Sequence, residues 1–158
     1  MELKRDYSDL FKALNAHKVK YLVVGAHAFS FYAVPRYTKD IDVWIPPELN
    51  DSDSVFKALI EYGAPLHGIS PADFTDREFM LQIGVEPIKI NIMTELSGIN
   101  PQKAWRNRSK TRFERIAVNI IGKQELLYAK RAAGRPQDKL DIAMLMKKPA
   151  LRKPRSRR

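Results

Sequence analysis

The chain has no cysteine, which excludes a disulfide framework and any thiolate metal site and is compatible with a reducing compartment. It has no apolar run approaching the ~18 residues that would cross a bilayer. Its first residues, MELKRDYSDL, are charged and helical in pattern, which argues against a signal peptide. The three histidines, His17, His27 and His67, are not spaced as a metal set, and no serine, histidine and aspartate arrangement suggests nucleophilic catalysis. Internal repeats are missing too. The last twelve residues, KKPALRKPRSRR, lack any acid. The expectation is a cytoplasmic protein with no membrane partner.

Among 158 residues, 28 basic and 18 acidic side chains give a formal charge of +10. Seven of the basic residues lie in that terminal stretch, so the body carries only about +3. A proline-interrupted basic segment cannot bury apolar surface, and residues 147–158 are expected to be a disordered tail, either meeting phosphate or simply solubilising the chain. Residues 1–146 are long enough for one domain with a real core and too short for two.

Leu10, Phe11 and Leu14 lie on one face of a helix within Tyr7–His17, and the β-branched run Val19–Val24 reads as a strand that stops at Gly25. Residues 26–32 are helical in composition until Pro35 disfavours helix at Val34. A second strand is expected over Ile41–Ile45, stopped by Pro46 and Pro47, followed by a helix that starts in NDSDS and closes at Gly63. Residues 64–77 read as loop. Strands are expected at Phe79–Ile83, Ile88–Met93 and Arg115–Ile121, and helices at Gln124–Ala133 and Gln137–Met146. This order predicts an α/β (α+β) fold, a mixed sheet of about five strands with helices packed on it and helices at the C-terminus.

Asp40 and Asp42 stand two residues apart at the start of a strand, so both side chains leave one face while Ile41 and Val43 face the core. Two like charges there repel unless they share a divalent cation, and Mg²⁺ is commonly held by one or two carboxylates plus substrate phosphates. The structural alternative has Asp40 capping a turn and Asp42 pairing with Arg36 or Lys39. Upstream, the junction of strand, Gly25 and helix is a place where backbone N–H groups can receive a phosphate.

Taken together, VKYLVVGAHAFSFYAVPRYTKDIDVWI, IKINIMTELSG and LLYAKRAAGRPQDKLDI resemble the DNA polymerase β-like nucleotidyltransferases, especially small bacterial members that include abortive-infection toxins of toxin–antitoxin pairs. The resemblance reaches to about Met146. It implies transfer of a nucleoside monophosphate from an NTP to a hydroxyl of RNA, tRNA among the candidates, or of a protein, with two Mg²⁺ ions and a possible antitoxin partner. Gly25 and Ala26 would contact triphosphate, Arg36 and Thr38 would lie on the approach, and Asp40 and Asp42 would bind metal. Lys130, Arg135 and Asp138 would form a wall facing nucleotide or acceptor. Locally, those three also read as a helix end at Gly134 and a helix start near Pro136.

Two positions depart from the family pattern. Ala26 stands where a second glycine or a serine is usual; it keeps its backbone N–H. Asn91 stands where the third carboxylate is usual, offering an oxygen without a charge. At ~4 Å and an effective dielectric of ~20, one unit charge is worth on the order of 4 kcal/mol per interacting charge before desolvation is subtracted. A tenfold rate change needs only ~1.4 kcal/mol. The expectations are therefore a slow enzyme, one recruiting Glu95, or an idle nucleotide- or RNA-binding relative. Trp105, Arg106 and Arg108 read equally as a nucleic-acid grip and as an amphipathic surface helix.

Overall fold

The computed structural model describes residues 2–36, 38–84 and 88–147, with side chains from Tyr7 onward. The basic tail expected to be disordered therefore lies outside the described residues beyond Lys147.

Helix α1 (Glu2–Ala16) buries Leu10, Phe11 and Leu14, the face expected from their spacing. Strand β1 (Leu22–Val24) is shorter than the β-branched run suggests, and α2 (Gly25–Tyr32) starts directly at its end. Gly25 has φ +69°, the left-handed region that lets a strand turn into a helix without a connecting loop. Strand β2 (Asp40–Trp44) follows, then α3 (Ser52–Tyr62), which ends where Gly63 at φ +96° sends its N–H back to the Leu59 and Ile60 carbonyls. The stretch 64–77, expected as loop, contains a short 3₁₀ turn at Pro71–Thr75. Strands β3 (Met80–Ile83) and β4 (Lys89–Met93) are followed by α4 (Pro101–Arg106), a hairpin of β5 (Ser109–Phe113) and β6 (Ile116–Ile120), and helices α5 (Lys123–Ala133) and α6 (Pro136–Met146).

The sheet has six strands among the described residues, in the order β3-β4-β2-β1-β6-β5, rather than about five. The additional strand is β5. Its sequence SKTRF has one large apolar residue, too little to mark it, yet the alternation is there: Lys110 and Arg112 are exposed while Ser109, Thr111 and Phe113 are half-buried. Glu114 and Arg115, both at positive φ, make the two-residue turn into β6.

Pairing register positions the site. β1 runs antiparallel to β2 with Val24 opposite Asp42, and β2 runs parallel to β4 with Asp42 opposite Asn91 and Asp40 opposite Lys89. Opposite residues share a face, so Val24, Asp42 and Asn91 form one row across three strands. Ile41, Val43, Ile90 and Ile92 turn to the other face and are buried, as the two-residue period requires. Tyr7 and Phe11 of α1 lie on that back face with Val23, Ile41, Val118 and Ile120. On the front, Leu126 and Ala129 of α5 approach Val24, Asp42 and Ile121.

Candidate active site

Because β1 is so short, the residue after Val24 lies beside the residue opposite Val24. Gly25 packs directly against the Asp42 carboxylate, and a Cβ at this position would overlap Asp42 Oδ2. The strand-to-helix corner and Asp42 are thus one feature. They open into a cleft of about 370 Å³ whose wall also includes Met93, Lys130, Arg135 and Asp138, whereas Asp40 and Asn91 are not among the residues lining it. The cleft brings Gly25, Asp42, Lys130, Arg135 and Asp138 together. Ala26 is the next residue of α2's first turn.

Asp40 and Asp42 are joined through Asn91, whose Nδ2 donates to Asp42 Oδ1 at 2.9 Å and to Asp40 Oδ2 at 3.4 Å. Lys89 Nζ stands 3.9 Å from Asp40 Oδ2. The repulsion between the aspartates is therefore relieved in two ways by their own neighbours on β4, which the sequence reading did not foresee. Of the two cations weighed from sequence as partners of Asp42, Arg36 bonds Asp141 instead. Glu95, weighed as a substitute acid, falls beyond β4 and lines a separate cavity with Glu48 and Arg77.

Thr38 turns onto the backbone of Asp40, its Oγ1 accepting from Asp40 N–H at 3.3 Å and donating to Asp40 O at 3.2 Å. This closes the loop just before β2 and fixes where the first carboxylate starts. Arg36 is engaged by α6. Its Nη2 and Nη1 bond Asp141 Oδ1 and Oδ2 at 2.6 and 3.3 Å, and its Cζ sits 4.0 Å from the Phe29 ring centroid.

Asp141 is the residue that sequence reasoning passed over. Its side chain is 2% exposed and also accepts from Lys130 Nζ at 2.8 Å and Gln137 Nε2 at 2.8 Å. Burial works to raise its pKa, but the bonds from Arg36, Lys130 and Gln137 outweigh that and hold it far below the usual carboxylate range. Three residues earlier, Asp138 binds Arg135 through Nε at 2.6 Å and Nη2 at 3.1 Å and caps α6 by accepting from the Arg135 N–H. The Arg135 side-chain bond is the main cause of its lowered pKa, against the opposing effect of burial. Lys130 Nζ lies 3.6 Å from Asp138 as well. The local capping reading and the cleft-wall reading of this segment thus describe the same residues. The signal for Asp141 was present in QDKLDI, where two acids at i and i+3 must lie on one helix face.

His27 does not face the cleft. It lines the apolar cavity behind the sheet, edge-on to Tyr7 at 5.9 Å, where burial lowers its pKa against the opposing pull of Asp42 and Asp40. His17 pairs with Glu61 at 2.8 Å near the end of α1.

No cluster of three or more His, Cys, Asp or Glu side chains suited to a metal occurs among the described residues. The hard oxygens of Asp40 and Asp42 are of the type that hold Mg²⁺ in sites completed by substrate phosphates and water, while Asn91 turns its amide N–H₂, not its oxygen, toward them.

Solved structures similar to this chain include nucleotidyltransferases. A Thermotoga maritima protein assigned to that class matches at TM-score 0.58 and 15% identity, over 88% of this chain and 89% of that one. The lincosamide antibiotic adenylyltransferase LnuA, solved with lincomycin, matches at 0.54 and 17%, over 89% and 94%. ANT(2")-Ia, solved with adenylyl-2"-tobramycin, matches at 0.58 and 11%, over 92% and 88%. At these identities the likeness establishes the polymerase β-like nucleotidyltransferase fold. No curated protein sequence matches the chain, and among the described residues no helix is long and apolar enough to cross a membrane. Residues 1–147 match the family described as "Nucleotidyltransferase of unknown function (DUF6036)", and with nearly its whole length covered the chain belongs to that family of nucleotidyltransferases.

Proposed function

We propose that the protein uses Mg²⁺ and an NTP to place a nucleoside monophosphate on a hydroxyl of RNA, with tRNA the first candidate, and releases pyrophosphate. The observation that carries this reading is the contact between Gly25 and Asp42 at the mouth of a cleft walled by Lys130 and Arg135. It joins backbone N–H groups for a triphosphate, oxygens for a cation and cationic side chains for the leaving phosphates in one space. Asp40 and Asp42 would hold the metal, whose chemistry is to neutralise charge on the reacting phosphate oxygens. Gly25 and Ala26 would receive phosphate, and Thr38 fixes the loop that starts Asp40. The acceptor oxygen bonds to the α-phosphorus as the bond to pyrophosphate breaks, and the hydroxyl proton passes to solvent.

Residues 1–146 form the transferring unit in this reading, with residues 147–158 as an appended basic tail, and the protein works in the cytoplasm. A tRNA acceptor would make it a growth-arresting toxin opposed by a protein antitoxin, which regulated expression in a bacterial host would reveal as arrest. Incubation with labelled NTPs and total RNA, cell protein or lincosamide and aminoglycoside drugs tests the acceptor. Wild type should label RNA and Asp42→Asn should not; equal labelling by both would remove Asp42 from the metal site.

A second reading is favoured by Asn91, which places an amide N–H₂ between the two carboxylates. It makes the protein a weak or idle relative that binds nucleotide or RNA. Asn91→Asp discriminates. A rise of tenfold or more in transfer supports an attenuated enzyme, whereas no transfer in either form with Mg²⁺-dependent NTP binding in both supports the binding module.

A further inference from the structure

Residues 101–115 contain six cationic side chains and a single acid, Glu114. Five of the six, Lys103, Arg106, Lys110, Arg112 and Arg115, are exposed, and among the described residues none of them forms an ion pair. The cations around the cleft behave differently: Arg36, Lys130 and Arg135 are each held by a buried aspartate. A cation that braces the cleft is given an acid, whereas no described acid pairs with these five.

Register places this cationic group. Ile120 lies opposite Val23 on the back of the sheet, so Asn119 and Ala117 face the front, and Lys110 and Arg112, paired with them, do too. By register they leave the same sheet face as Asp42 and Asn91, and Arg112 also borders the cavity behind the sheet. Lys110 stands beside Asn119, two residues or about 7 Å along the strand from Ile121, which lines the cleft. Lys103 and Arg106 are one turn apart on α4. The sixth cation, Arg108, pins the two halves into one unit. Its Cζ lies 3.7 Å over the Trp105 ring, its Nη1 donates to Trp105 O at 2.7 Å, and its Nε donates to Asn119 Oδ1 at 3.1 Å.

We infer that this surface, made by α4 and the front of the β5–β6 hairpin, is where the phosphate backbone of an RNA acceptor docks while its terminal hydroxyl reaches the cleft. The inference rests on the reading of the Asp40–Asp42 cleft as a site of transfer to RNA, and it names the surface that recognises the polymer. Cations repeating at two-residue intervals along an edge strand suit a chain of regularly spaced phosphates. None of the exposed large hydrophobic residues described lies within residues 101–115, so the surface offers little to a folded acidic protein.

The test uses the full-length protein and a fluorescein-labelled RNA hairpin with a single-stranded 3′ end, without NTP, across a salt series. Lys110→Glu with Arg112→Glu, and Lys103→Glu with Arg106→Glu, should each weaken binding tenfold or more. Each should also flatten the salt dependence, by about 0.7 in log–log slope for every phosphate that is no longer neutralised. The melting midpoint should not move, and Lys57→Glu on α3 should bind as wild type. No RNA binding by wild type, unchanged affinity and slope in both double variants, or equal competition by poly-glutamate would overturn the inference. In a parallel labelled-NTP assay, loss of RNA binding in the variants with no transfer by wild type leaves the surface standing and removes the transferase reading. Transfer by wild type with an unchanged KM for RNA in the variants does the reverse.

Discussion

Arg36 and Asp141 are 105 positions apart in the chain and meet in a two-pronged ion pair at 2.6 and 3.3 Å, with Lys130 on the same carboxylate at 2.8 Å. The last described helix is thereby tied both to the loop that delivers Asp40 and to the cationic wall of the cleft. Removing one partner of a buried pair typically costs about 3–5 kcal/mol because the other is left uncompensated. Arg36 keeps 30% exposure, so the low end applies.

Asp141→Ala should lower stability by roughly 3 kcal/mol, or about 6–12 °C in melting midpoint, measured by circular dichroism. Asp141→Asn should lose less and, assayed well below its midpoint, should raise the KM for NTP more than it lowers kcat. A variant with a reduced midpoint and an unchanged KM would mean that Asp141 braces the helices without setting the position of Lys130.

Gly25→Ala puts a methyl group into the Asp42 carboxylate at a backbone conformation that L-residues avoid. The left-handed conformation alone costs roughly 1–2 kcal/mol. The larger effect should be on the site, because Asp42 must swing away. The expected outcome is loss of Mg²⁺-dependent NTP binding by calorimetry with a midpoint reduced by only a few degrees. Wild-type binding in the variant would separate the glycine corner from nucleotide recognition.

Acid should destabilise the protein in two stages. His27 has a lowered folded pKa, so below its unfolded value of about 6.5 the unfolded chain takes up a proton that the folded one refuses, and stability falls. Asp138 and Asp141 also have lowered folded values, so the stability they contribute is complete above about pH 4 and drains away as pH drops toward those values. Urea midpoints from pH 8 to pH 3 should decline first near 6.5 and again below 4. His27→Phe should flatten the first stage only, and an unchanged profile in that variant would contradict the burial of a neutral imidazole.

Much of the architecture was legible because apolar spacing and chain breakers agreed. The three apolar residues of α1, the glycine ends of α3 and α5, and the alternation Asp40, Ile41, Asp42, Val43 are local patterns with one physical solution. Strand β5 was not legible, since an edge strand with one face in water needs few apolar residues. In the cleft, the glycine turn and the aspartate pair stood out as unusual residue types. The partners of Arg36 did not, because a bond spanning 105 positions leaves no trace in local spacing. Nor could sequence tell that Asn91 would bridge Asp40 and Asp42, which depends on the register between β2 and β4.

The grip of Asp141 on Arg36 and Lys130 has a consequence for synthesis. The glycine corner and both strand aspartates leave the ribosome roughly a hundred residues before the helix that locks their surroundings in place. A growing or prematurely ended chain would hold most of the chemical groups yet lack the clasp that sets them, so the groups would reach their places only after translation has passed the last described helix.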